Sequence, residues 1–147
     1  MNTCFFIGHR DAPESLRPSL LTEVERHITE HGVTEFVVGS YGRFDSMAAW
    51  AVKEAKKRYA AELRLLLPYH PALRPVAAPE GFDGTFYPPG METVPKRTAI
   101  VRANRYMVDH CGYLIAYAWR PASNARNLVE YARRRGGVCV TVLESVE

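Results

Sequence analysis

The residues in this chain that could hold an anion fall into three short groups, each following an apolar run. Gly8, His9 and Arg10 follow residues 3–7. Gly39, Ser40, Tyr41 and Gly42 follow residues 36–38 and stand just before Asp45. Ser123 and Asn124 close the turn R-P-A-S-N that begins at Arg120. Arginine can fork onto a phosphate or a carboxylate. A glycine turn that opens a helix leaves backbone N–H groups with no Cβ in front of them, and the helix dipole favours negative charge there. The chemistry these groups suit is therefore recognition of phosphate or carboxylate. The turn at 39–42 is neither G-x-G-x-x-G nor a P-loop, because Gly42 is not followed by Lys and Ser/Thr. A plain βα turn with Asp45 as helix N-cap stays open beside the ligand cradle.

A fourth group, Arg102, Asn104, Arg105 and Asp109, lies in a segment with helical spacing. Arg102, Arg105 and Asp109 recur at i, i+3 and i+7. An Arg105–Asp109 pair would stabilise the helix by only about 0.2–0.5 kcal/mol, so a salt-bridged surface is the alternative to a site. Other chemistry is sparse. Cys4, Cys111 and Cys139 are widely spaced and form no C-x-x-C, which excludes the common zinc and dithiol motifs. Cys4 and Cys139 sit in strand-like runs and are expected as buried thiols. His27 and His31 are four apart on a helix but lack a third ligand, so an exposed polar face is expected there. No metal and no cofactor is expected.

These groups need elements to position them. Strands are expected at 3–8, 36–38, 62–67, 112–118 and 138–143, the last one buried. Helices are expected at about 16–31, 45–60, 95–110 and from Ser123 to Arg135. Residues 68–95 hold seven of the ten prolines and read as a long functional loop or stiff connector, with a brief edge strand at Phe86 and Tyr87. Strands alternating with helices argue a parallel sheet. The expected fold is α/β: a Rossmann-like three-layer αβα sandwich with a mainly parallel sheet of about five strands, in a single domain over residues 1–147. The three loops would meet at the carboxyl ends of the strands, where open α/β sheets bind ligands.

Composition sets bounds. The 147 residues are 47% hydrophobic and 24% charged, with a net charge of +3. That charge is too small to argue for nucleic acid by itself. Arg133, Arg134 and Arg135 fall where a helix should end, a favourable place for cations. There is no twenty-residue apolar run and no signal-peptide pattern, so no membrane span is expected and the cytoplasm is the simplest location.

Taken together and in order, the motifs resemble the SLOG superfamily of Rossmann-like proteins, which includes DprA and the LOG phosphoribohydrolases, and most of all its YpsA-like branch. The resemblance rests on F-x-G-H-R at 6–10, G-S-Y-G-R-F-D at 39–45 and R-A-N-R-Y-M-V-D at 102–109, with G-Y-L-I-A-Y-A-W and N-L-V-E-Y-A beyond. It implies a nucleotide-type ligand over the sheet, touched by Gly8, His9, Arg10, Gly39, Ser40, Tyr41, Gly42, Asp45, Arg102, Asn104, Arg105 and Asp109. Ser123 and Asn124 stand where the family commonly has a Gly-Gly-Thr type turn. The P-G-G-x-G-T and nearby Glu of the LOG enzymes have no counterpart here, and Glu130 lies almost two turns into its helix. The first expectation is a nucleotide or nucleotide-derivative binding protein with a sensory or regulatory role. A phosphoribohydrolase using Arg10, Asp45, Arg102 and Asp109 is the second. DprA-like binding of single-stranded DNA, with Tyr41, Phe44 and Trp119 as stacking platforms, is the third. Helices in this class often pair two copies, so a homodimer is also expected.

Overall fold

The computed structural model describes residues 2–72 and 77–144. Its strands are β1 (Thr3–Gly8), β2 (Glu35–Val38), β3 (Glu62–Leu66), β4 (Gly84–Phe86), β5 (Tyr113–Tyr117) and β6 (Cys139–Val142). Its helices are α1 (Arg17–His31), α2 (Arg43–Ala55), α3 (Lys96–His110) and α4 (Asn124–Arg135). The strands form one sheet in the order β4-β3-β2-β1-β5-β6, and every neighbouring pair is parallel.

Alternation along the strands builds two cores. Cys4 and Phe6 of β1 pack with Leu20 and Val24 of α1 and with Met47, Ala48 and Val52 of α2. Phe5, between them, packs on the other face with Ala99, Ala103 and Met107 of α3 and with Val129 and Ala132 of α4. Successive side chains point to opposite faces, so a strand covered on both sides must be apolar throughout. The result is the expected Rossmann-like αβα arrangement.

The sheet has one strand more than the five expected. β4 comes from the proline-rich stretch and pairs with β3 from Arg64↔Gly84 to Leu66↔Phe86, leaving Tyr87 outside it. Asp83 secures the start by accepting the Leu63 N–H at Oδ2, 2.9 Å away. α2 is shorter than expected: it ends at Ala55 and its N-cap is Gly42, so Asp45 lies inside the first turn.

Three other expectations fail. β6 is a half-exposed edge strand, and Cys139 is exposed. His27 is fully buried rather than on a polar face. Its Nδ1–H donates to the Glu23 carbonyl at 2.7 Å, and its ring meets the Tyr113 ring edge-on at 5.7 Å. Burial pushes its pKa down. Apolar periodicity could not place this residue, because the ring packs as an aromatic while the backbone takes its proton. Arg105 and Asp109 do not pair as expected. Asp109 accepts from Tyr131 Oη at 2.6 Å and pairs with Arg135 at 2.9 Å, while the Arg105 guanidinium lies over the Tyr131 ring at 4.6 Å.

Candidate functional site

The chain passes outward from β1 through β2 to β4, then returns to the other side of β1 with β5. That reversal leaves a crevice beyond the carboxyl ends of β1 and β5. A cavity of about 500 Å³ opens there. Its walls are Gly8 to Asp11 after β1, Gly39, Tyr41 and Asp45 after β2, Leu66 and Pro68 after β3, Arg120 and Ser123 to Ala125 after β5, and Ile100, Val101, Ala103 and Asn104 of α3.

The first two loops interlock through glycine. A Cβ on Gly8 would lie 2.3 Å from the Phe44 ring, and one on Gly42 would lie 2.6 Å from the Arg10 Cα. Arg43 N–H donates to the Arg10 carbonyl at 2.9 Å. Tyr41 N–H donates to Asp45 Oδ2 at 2.9 Å. Of the donors at the glycine turn and the start of α2, the Tyr41 and Arg43 amides are thus engaged within the protein. Asp45 is half-buried, and burial pushes its pKa up to about 6, opposed by the Tyr41 N–H and the Arg10 charge.

His9 braces this end of the sheet. It is 4% exposed, and its Nε2 accepts the Arg120 N–H at 3.1 Å, which leaves the ring proton of the neutral form on Nδ1. Its ring sits edge-on to both Tyr117 and Trp119, at 5.5 and 5.7 Å. Burial lowers its pKa, as does the Arg120 charge, against Asp11. The Nε2 lone pair is thus spent on the backbone, and the ring keeps Nδ1–H as its donor. His9→Ala should cost about 2–3 kcal/mol through the cavity and the unpaired Arg120 amide. Urea unfolding measures this, and a loss below about 0.5 kcal/mol would contradict the bracing role.

The turn after β5 presents a second set of donors. Ser123 caps α4, its Oγ accepting the Arg126 N–H at 3.1 Å and donating to the Arg120 carbonyl at 2.8 Å. Asn124 and Ala125 follow as the first two helical residues, whose N–H groups have no intrahelical acceptor. Both border the cavity. Ala122 holds φ at 58°, a left-handed conformation usually left to glycine, so the turn has a glycine-like backbone without glycine. Arg120 reaches Asp11 at 3.0 Å and lies 4.9 Å from the Trp119 ring centre. The Arg120 hydrogen bond, with the Arg120 charge behind it, holds the exposed Asp11 carboxyl below its usual range against a smaller opposing effect of desolvation.

Of the sequence-derived candidates, Gly8, His9, Arg10, Gly39, Tyr41, Asp45, Asn104, Ser123 and Asn124 border the cavity. Gly42, against Arg10, does not line it, Ser40 is exposed, and Arg102, Arg105 and Asp109 lie off its walls. Asp11, Arg120 and the α3 residues Ile100, Val101 and Ala103 were missed. Arg120 and Asp11 were legible as charges beside strand ends; Ile100 and Ala103 were not, because their spacing with Ala99 and Met107 marks a core-facing stripe.

No protein-family model matches this sequence, and no curated protein matches it. Among solved structures, DNA processing protein A (DprA) from Streptococcus pneumoniae superposes with a TM-score of 0.70 at 16% identity, over 98% of this chain and 50% of that one. The likeness is one of fold. It agrees with the expected Rossmann-like α/β sheet. The chain spans about half the length of this neighbour. Among the described residues, no helix is long and apolar enough to cross a membrane, and no three His, Cys, Asp or Glu residues are grouped to hold a metal ion.

Proposed function

We propose that the chain binds a nucleotide or nucleotide derivative in this cavity, as a sensor or regulatory module of the YpsA-like kind. One observation carries the reading. Asn124 and Ala125, whose amides open α4, and the two arginines Arg10 and Arg120 border the same cavity at the reversal point of the sheet. The phosphate belongs at the α4 end, where the Asn124 and Ala125 amides have no intrahelical acceptor and Arg120 is near, and the ribose near Asp45, whose carboxyl can accept hydroxyl protons. Binding is favoured over cleavage because Arg102 and Asp109, needed for the hydrolase reading, lie off the cavity wall.

The test is a thermal-shift screen with AMP, ADP, ADP-ribose, NAD, nicotinamide mononucleotide, cyclic dinucleotides and inorganic phosphate. A ligand at a hundred times its Kd stabilises by about 2.7 kcal/mol, a rise of roughly 5–10 °C for a chain of this size. A selective rise for one nucleotide class is expected. No rise with any of them overturns the reading. A shift with single-stranded oligonucleotides alone would move the function toward the DNA chemistry in the DprA name, with exposed Trp119 as the stacking platform.

A further inference from the structure

Beside the cavity lies a second, smaller hollow of about 280 Å³. Its walls include the rings of Tyr69, His70 and Tyr87, the apolar Met91 and Val94, and Lys96 at the start of α3. The His70 and Tyr87 rings meet edge to face, 5.4 Å apart. Pro68 borders both spaces. The two also flank the same turns of α3, with Ala99 on the hollow and Ala103, one turn on, at the cavity.

The two spaces differ in chemistry. The cavity carries Arg10, Arg120 and the α4 amides. The hollow carries one cation, Lys96, and one anion, Glu92, among rings and apolar groups. It is ill suited to a phosphate and well suited to a flat ring, since every nucleobase offers a π-face to an aromatic wall. We propose that the hollow receives a second ring of the ligand in the main cavity. The ligand class is then a two-ring nucleotide, with two ring systems joined through phosphate, rather than a mononucleotide. This inference rests on the nucleotide reading above, and it assigns the proline-rich stretch a recognition role.

Isothermal titration of the full chain with AMP, ADP, NAD and diadenosine diphosphate tests it. The two-ring compounds should bind at least about tenfold more tightly than ADP, in line with stacking of one base on an aromatic wall. Tyr87→Ala should remove that advantage and leave the ADP affinity unchanged. His70→Ala, at an exposed position, provides a second variant with little risk to folding and should reduce the advantage in part. Equal affinity of ADP and the two-ring compounds in the wild type overturns this inference alone. So does a Tyr87→Ala protein, folded by its thermal melt, that loses ADP and two-ring affinity to the same degree. Failure of every nucleotide to bind overturns the nucleotide reading and this inference with it.

Discussion

Asp45→Asn should make the protein more stable at neutral pH. The Asp45 carboxyl sits half-buried beside the cavity, and burial raises its pKa from 3.8 to about 6. The native chain therefore binds more protons than the unfolded chain between those values. Stability falls as pH rises through that window, and above pH 6 the full cost of holding the ionised carboxylate is present. A rise of about two pKa units corresponds to about 3 kcal/mol, and partial exposure reduces this to about 2 kcal/mol. Asparagine keeps an acceptor for the Tyr41 N–H, which Asp45 Oδ2 now takes at 2.9 Å. At pH 7.5 the variant should melt about 5 °C higher. At pH 3 the two proteins should melt together, because the wild-type carboxyl is protonated in both states. Thermal melts across pH 3–8 would test this, and a variant that is less stable than wild type at pH 7.5 would refute it.

A group that costs stability where it stands needs a reason to be there, and sites of recognition are where such groups concentrate. The stabilised variant should therefore be the poorer binder. With a ribose hydroxyl as partner, the carboxylate accepts a charge-assisted hydrogen bond that the amide makes only weakly. Arg10, whose charge favours the ionised form of Asp45, ties the first loop to the same site.

The layers of this fold could be read from the chain because apolar runs in the strands and spaced apolar stripes in the helices are dictated by burial on both faces. The Phe5–Phe6 pair is the clearest case, each ring serving a different core. β4 was only half legible: its three residues are half-buried, and its place beside β3 is fixed by Asp83 twenty residues from Leu63. The site was legible as three loops. What sequence could not assign is which amides are already taken. The Gly39–Gly42 turn looks like the better phosphate cradle from composition, yet its Tyr41 amide bonds to Asp45 and the neighbouring Arg43 amide to Arg10. At the glycine-free turn Ser123 takes the Arg126 amide, while Asn124 and Ala125 border the cavity. Likewise His9 reads as an anion contact beside a strand end, and its bracing of the Arg120 amide could not be read from sequence.

Gly42→Ala should be among the most damaging single-methyl changes in the chain, and for a reason separable from ligand contact. Gly42 has φ 126° and ψ −176°, a region left almost entirely to glycine and costing other residues about 1–3 kcal/mol. The added Cβ would also stand 2.6 Å from the Arg10 Cα, 2.8 Å from its Cβ and 2.8 Å from its Cγ. A backbone atom cannot swing aside as a side-chain tip can, so the two loops must part and the Arg43–Arg10 backbone bond at 2.9 Å must stretch. Gly136 provides the comparison. It has φ 75° and ψ 178°, yet nothing lies within 4 Å of a Cβ built on it. Gly136→Ala should cost the conformational part alone, about 1–2 kcal/mol, and Gly42→Ala about 2 kcal/mol more from the clash. Equal losses in chemical denaturation would mean the loops yield freely and the interlock is not a constraint. With the larger loss at Gly42, nucleotide affinity should fall as well, because Arg10 moves with the loop. Gly136→Ala, at the far end of α4 from its cavity-facing amides, should leave affinity as it was.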